Sequence, residues 1–321
     1  MLPYLHQPSV HFLTTIRRYA SHNAVFLLKD MKYTYDFEIA DILIRVESPF
    51  SFSDLHELSP FLTHTRSKRN PDAHYTIDLL PKNWTIQGSK LADLQHSTIY
   101  QCNNELHRYY FWNIFSKDYF VLVCSPISGG AKQTIYLQED TLERILPQFR
   151  LVAFMFPELL LLKHRAYMLH ASVVDFQGQG ILFAGPSGIG KSTQAQLWVK
   201  TTGAEVINGD RAILRWQGDF WYAYGSPYAG TSGIYQNRSV PLKAIVVLSQ
   251  DPENNICRLS QGEAFGQLIP QAASMPWFEQ YMAELSDLLL ETIASIPVYH
   301  LSCLPDSDAV ALLKQELLAL G

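Results

Sequence analysis

Apolar positions along the chain change their rhythm at about residue 140. From Ala24 to about Phe50, short β-like runs alternate with polar breaks, at Val25-Phe26-Leu27-Leu28, Tyr33-Thr34-Tyr35 and Ile39 to Val46. Runs of this length between polar clusters read as strands. Further strands are expected at Tyr75–Leu80, Ser97–Gln101, Tyr109–Ile114 and Tyr119–Cys124, with Ser128-Gly129-Gly130 closing the last. Residues 64–75, rich in charge, Asn and Pro, predict an exposed loop. Residues 1–140 therefore read as a mainly β domain without a catalytic motif. Residues 139–166 switch to near-helical spacing at Leu142, Ile145, Leu146 and Phe149, with Pro157 dividing the segment. The domain boundary is placed there, giving 1–140 and 141–321, with this helical segment packed on the second domain.

The second domain opens with a strand at His170-Ala171-Ser172-Val173-Val174. The turn Gln177-Gly178-Gln179-Gly180 leads to Ile181-Leu182-Phe183-Ala184, the other arm of an antiparallel hairpin. A helix from Ser192 to Lys200 stops at Gly203. Ala204-Glu205-Val206-Ile207 predicts a strand ending in Asn208-Gly209-Asp210, and Ala212–Trp216 with Phe220–Tyr224 predicts a second hairpin. Residues 225–239, rich in Gly, Ser and Pro, make a long loop of the kind that carries function beside a rigid core. An apolar strand at Leu242–Leu248, helices at about 261–272 and 277–294, a strand at Val298–Leu301 and a helix at about 307–319 complete the chain. The mixture predicts the α/β (α+β) class.

Composition sets limits. The chain has 321 residues, 47% hydrophobic and 17% charged, which suits two medium globular domains and not disorder. A net charge of −5 gives no electrostatic ground for a nucleic-acid partner, and the cluster Arg66-Ser67-Lys68-Arg69 reads as a solvated loop. Cys102, Cys124, Cys257 and Cys303 form no C-x-x-C pair, so neither zinc nor redox chemistry is expected. Residues 1–20 lack the order of a signal peptide, and the apolar stretch Leu151 to Leu162 is too short to span a bilayer. These features predict a cytoplasmic protein with no membrane partner and leave homo-oligomerisation open.

Between hairpin and helix stands Gly185-Pro186-Ser187-Gly188-Ile189-Gly190-Lys191-Ser192, followed by Thr193, which satisfies the phosphate-loop pattern G-x-x-x-x-G-K-[ST]. Glycines at 185, 188 and 190 let successive N–H groups converge on an anion. The helix that follows points its unpaired N–H groups and positive dipole end at the same place. Lys191 adds a positive charge near the β- and γ-phosphates, and the Ser192 hydroxyl ligates Mg²⁺. A nucleoside triphosphate with Mg²⁺ is the expected ligand, a plain glycine-rich turn the alternative. Two large classes fit poorly. An ABC-type ATPase needs an apolar strand ending in Asp-Glu, whereas Ala244–Leu248 runs into Ser249-Gln250. A Ras-like GTPase needs Asn-Lys-x-Asp, which is absent.

The arrangement resembles the HPr kinase/phosphorylase family, which shares its ATP-binding core with the phosphoenolpyruvate (PEP) carboxykinases. Four features over residues 165–320 carry the resemblance: Leu169-His170-Ala171-Ser172-Val173-Val174, the loop Gly185–Ser192, the strand ending at Asp210, and Gly230-Thr231-Ser232-Gly233-Ile234 with Val240–Leu248. The last stretch is more similar still to HPr-kinase-related proteins of bacterial peptide-modification gene clusters. Residues 1–140 show no resemblance to the HPr kinase N-terminal domain. The resemblance implies a PEP carboxykinase/HPr kinase-like P-loop core behind a separate β domain. It also implies an ATP- and Mg²⁺-dependent kinase acting on a hydroxyl, serine above all, of a peptide or small protein. The alternatives are a small-molecule hydroxyl kinase and an ATP-binding regulatory or scaffold protein.

One departure bears on the chemistry. HPr kinases carry two consecutive aspartates after that strand, one the base and one near the metal. Here Gly209 holds the first position and only Asp210 remains. The resemblance implies that Asp210 serves the metal or takes the acceptor proton, although Asn208-Gly209-Asp210 also suits an Asx turn. It implies a catalytic part for Lys191 and, for His170, contact with the γ-phosphate or help with proton transfer; a packed core histidine is the other reading. Arg211 and Arg238 read as surface residues, and Trp216, Trp221, Tyr222 and Tyr224 as hairpin packing.

Overall fold

The structure, a computed structural model, describes residues 33–52, 55–63, 69–80, 83–111, 119–139, 142 and 149–320. The strand expected at Val25–Leu28, most of the 66–69 basic cluster, and Ile145 and Leu146 lie outside these residues. The chain divides into two units between Leu160 and Leu161.

The first unit is built on β1 (Tyr33–Ile39), β2 (Ile42–Ser48), β3 (Ala73–Leu80), β4 (Ser89–Leu94), β5 (Ser97–Cys102), β6 (Glu105–Phe111), β7 (Tyr119–Pro126) and β8 (Lys132–Gln138). They form one eight-stranded sheet in the order β1-β2-β3-β8-β7-β6-β5-β4. Pairing is parallel at β2/β3 and β3/β8 and antiparallel elsewhere. The apolar run Ile39–Val46 is not one strand. It breaks at Ala40 (φ 51°) and Asp41 (φ 57°), and two successive positive φ angles make the tight turn that a two-residue hairpin needs. Two strands left only a weak apolar signature. β4 is largely solvent-facing, and in β8 a core position is filled by Gln133, which is 2% exposed and bonds the backbone of Phe156 through both ends of its amide.

Residues 149–156, expected to pack on the second domain, belong to the first unit. Phe149 stacks on Phe52 at 5.7 Å and on Phe154 at 5.1 Å, and Phe154 meets Tyr110 edge-on at 5.0 Å. These aromatic contacts hold the short helix α1 (Leu151–Phe154) there, and the unit division falls inside α2 (Glu158–Lys163).

The second unit has β9 (Ala166–Phe176), β10 (Gln179–Ala184), α3 (Lys191–Thr202), β11 (Glu205–Asn208), β12 (Arg211–Gln217), β13 (Phe220–Tyr224), β14 (Ser239–Gln250), β15 (Asn255–Arg258), α4 (Gln261–Leu268), α5 (Glu279–Ser295), β16 (Val298–Cys303) and α6 (Ser307–Ala319). Strands run β10-β9-β12-β13-β14-β16-β15, β11 joins β9, and β10 also pairs β14, so the path closes on itself. Two long strands make this closure possible. β9 pairs with β12 through His170 and with β10 from Ala171 onward. β14 leaves β13 at Pro241 and then runs parallel to β10 and β16. Both expected hairpins are present, and the class is mixed α/β.

α3 and α6 cover one face of this sheet through a core of Val174, Phe176, Phe183, Trp198, Val246 and Leu313, among others. Trp198, fully buried, meets Phe176 edge-on at 5.2 Å. α4 opens with a capping box between Ser260 and Glu263 and ends sooner than expected, because Pro270 turns the chain into a short 3-10 turn, Ile269–Gln271. α6 starts on the Asp306 carboxylate, which accepts from the N–H groups of Asp308 and Ala309. Among the described residues, no helix is long and apolar enough to cross a membrane.

Candidate functional site

The glycine loop joins the end of β10 to the start of α3, and its shape depends on backbone angles that L side chains rarely adopt. Gly185, Gly188 and Gly190 have φ of 142°, 82° and 115°. A Cβ at Gly185 would also stand 3.1 Å from Ile189 Cγ2 and 3.4 Å from the Leu248 carbonyl oxygen. Pro186, Ser187 and Gly188 are exposed at the crest, as are Ser192 and Thr193 in the first turn of α3. Lys191 is not. It is 7% exposed, and its Nζ donates to the carbonyl oxygens of Gly185 (2.8 Å) and Pro186 (3.1 Å). Burial pushes its ammonium pKa down, while the charge of Asp210 draws it back up.

The rest of α3 holds the loop in place. Lys191, Gln194, Ala195 and Trp198 share its buried stripe, and Gln194 Nε2 donates to Cys303 Sγ at 3.2 Å. At the end of β14, Gln250 Nε2 lies 3.5 Å from the carbonyl oxygens of Gly188 and Ile189. Gln250 thus touches the loop from the strand end where an ABC-type enzyme would carry Asp-Glu. The sequence showed only the missing acids.

The second half of the site is the turn after β11. Asn208, fully buried, accepts at Oδ1 from the N–H groups of Asp210 (2.9 Å) and Arg211 (2.8 Å). Its Nδ2 donates to the carbonyl oxygens of Ser226 (2.9 Å) and Tyr228 (3.4 Å). The Asx turn is therefore present, and Asn208 builds it. Asp210 keeps its carboxylate for other partners: Oδ1 lies 3.3 Å from His170 Nε2, and Oδ2 lies 3.8 Å from Arg211 Nε. His170 and Arg211 are opposite one another in the β9/β12 register, at the residue where β9 changes partner strands.

The His170 hydrogen bond, more than any other influence, holds the Asp210 carboxyl below the usual carboxylate range. Burial opposes it, and the charges of His170, Arg211 and Lys191 add to it. A depressed folded-state pKa contributes stability that is present above the unfolded value, about 3.9, and is lost as pH falls through the folded value. His170→Ala should therefore move the Asp210 titration midpoint upward, read by carboxyl NMR. A midpoint that stays in place would show that the imidazole does not set it.

Gly209 has its own steric cause. Its N–H donates to the Ile234 carbonyl oxygen (3.1 Å), and its own carbonyl accepts from Ser172 Oγ (2.9 Å). A Cβ there would lie 2.1 Å from Ser232 Oγ and 2.5 Å from Ser232 Cβ. The long loop after β13 folds over this turn: Gln236 N–H donates to the Ile207 carbonyl (3.0 Å), and a Cβ on Gly230 would stand 2.5 Å from Asp210 Cγ. Serine and glycine fill the space that a second aspartate would take. Gly209→Asp should cost about 1–3 kcal/mol by overpacking, and adding Ser232→Gly should recover part of it. Denaturant melts of the single and double variants test this, and equal midpoints for wild type and Gly209→Asp would contradict it.

The structure thus joins His170, Asp210 and Arg211 in one cluster and Lys191 with Gly185 and Pro186 in another, the two coupled through charge. Arg238 is elsewhere, paired with Asp175 and Glu205. Trp216 and Trp221 pack edge-on at 5.7 Å within their hairpin.

No curated protein matches the chain. Among solved structures it is similar to the HPr(Ser) kinase/phosphatase from Coxiella burnetii, at 14% identity and a TM-score of 0.28, over 47% of this chain and 93% of that one. The family model described as SynChlorMet cassette protein ScmC matches residues 143–304, just over half of the 321 residues and all of the loop, strand and turn described above. The chain belongs to the family of SynChlorMet cassette protein ScmC.

Proposed function

We propose that the second unit is an ATP- and Mg²⁺-dependent kinase that transfers the γ-phosphoryl group to a hydroxyl, serine first, of a peptide or small protein. One observation carries the reading: a buried lysine folded into a glycine loop is coupled in charge to a carboxylate kept ionised at the next strand end. Phosphoryl transfer asks chiefly for positioning and neutralisation of charge, and this pair supplies both.

The loop's N–H groups and the start of α3 would receive the phosphates, with Gly185, Pro186, Ser187, Gly188, Ile189, Gly190 and Thr193 forming the cradle. Lys191 would exchange its loop carbonyls for phosphate oxygens. The oxygen donors Ser192 and Asp210 suit a hard cation, and the depressed pKa of Asp210 keeps it charged as a ligand must be. Mg²⁺ held by Ser192 and Asp210 would supply positive charge to offset that of the phosphates. His170 orients Asp210 and keeps it ionised, and it stands where an acceptor proton can be passed on.

The family is described as a cassette protein, so the acceptor panel begins with peptides and small proteins encoded beside it. The test is ADP formation with and without each acceptor. Acceptor-dependent turnover supports the kinase. ATP binding without turnover across the panel, including small-molecule alcohols, supports a regulatory role in which the missing second acid has ended catalysis.

A further inference from the structure

The first unit contains a second cluster of chemistry-bearing side chains, and the order of its strands creates it. Glu105 and His107 are two apart on β6 and so share a face of the sheet. Cys124 on β7 is directly opposite His107, on that same face. Donor atoms of Glu105, His107 and Cys124 all lie within 4.8 Å of one another, and His107 Nε2 is 3.2 Å from Glu105 Oε2. The three are spread over 20 positions of sequence and match no spacing motif, which is why the widely spaced cysteines predicted no metal.

A further observation points to a ligand. His107 is 4% exposed, and its Nδ1 is buried without a hydrogen-bond partner, an arrangement that costs free energy unless a ligand reaches the ring. The cluster lies beside a floor of apolar and aromatic side chains around Tyr109 and Leu122, against which Cys124 packs.

From these observations we infer that Glu105, His107 and Cys124 form a divalent-metal site whose ion is Zn²⁺. One sulfur, one nitrogen and one oxygen donor match the borderline softness of zinc better than that of Mg²⁺ or Ca²⁺. Zinc bonds of about 2.0–2.3 Å place donors a little over 3 Å apart in a tetrahedron. The donor atoms of the three side chains, within 4.8 Å of one another, stand close to that spacing. Three protein ligands would leave a fourth position for water. Cys102 sits across β6 from β7, so a Cys102–Cys124 disulfide would have to span two inter-strand spacings, about 9–10 Å, beyond disulfide reach.

The experiment is titration of the full chain with Zn²⁺ alone, after chelator treatment, followed by Co²⁺ as a spectroscopic probe. Wild type should bind one equivalent, and its cobalt form should show thiolate-to-metal charge-transfer absorption. Cys124→Ser should abolish that absorption. Glu105→Gln, at an exposed position that leaves the fold intact, should weaken zinc binding by more than about 100-fold, beyond the 10–100-fold cost of losing an outer-shell partner. Cys257→Ser, on the second unit, should change neither. Failure of the full chain to bind zinc would overturn the assignment. So would zinc binding unaffected by both Cys124→Ser and Glu105→Gln.

Discussion

Lys191→Ala should weaken MgATP binding about 10- to 150-fold, corresponding to the 1.5–3 kcal/mol of a charge-assisted hydrogen bond to phosphate. The lysine is suited to this exchange. It is 7% exposed, its ammonium already bonds two loop carbonyls, and burial lowers its pKa, so the charge is held without full hydration. A phosphate arriving at the loop would find a cation with little water to lose. Calorimetric titration with ATP and Mg²⁺ checks the value, and a melting curve of the variant separates lost binding from a collapsed loop. Affinity equal to wild type in a folded Lys191→Ala protein would remove the phosphate-loop reading.

Asp210→Asn is expected to have the largest effect on turnover. The substitution keeps the size and the Asn208-built turn, whose hydrogen bonds use the backbone N–H groups of Asp210 and Arg211 and not the carboxylate. It removes the charge that His170 holds in its ionised form. If Asp210 serves the metal, as proposed, the variant should need far more Mg²⁺, and saturating metal should restore part of the rate. If it is the base, turnover should fall by about 10²–10⁴ at every metal concentration. Wild-type turnover with wild-type metal dependence would leave Asn208-Gly209-Asp210 as an ordinary turn.

What the sequence showed follows from the kind of signal each element leaves. The second unit was legible because its strands are apolar runs ended by Gly, Asn and Asp, and because the glycine loop has one tight pattern. α3 was the harder part of it. Two of the four residues on its buried stripe, Lys191 and Gln194, are polar because they serve the loop and β16, so hydrophobic periodicity there is weak. The first unit hid more. Ala40 in a left-handed turn gives no sign of itself, and Gln133 breaks the apolar alternation of β8 because its partner is a distant backbone. Gly209 looked like a lost acid. Only the approach of Ser232 shows that the position is closed to any side chain. Asn208 was visible as a turn former, but its hold on residues 226 and 228 depends on the fold of the long loop.

Transfer of phosphate from γ-labelled ATP to a candidate acceptor, compared between wild type and Asp210→Asn at a fixed Mg²⁺ concentration, tests the central claim most directly. The account predicts label on a hydroxyl of at least one peptide or small protein, and its loss in the variant at low metal with partial recovery at high metal. Tight ATP binding with no label transferred to any acceptor, and no acceptor-dependent ADP, would contradict it.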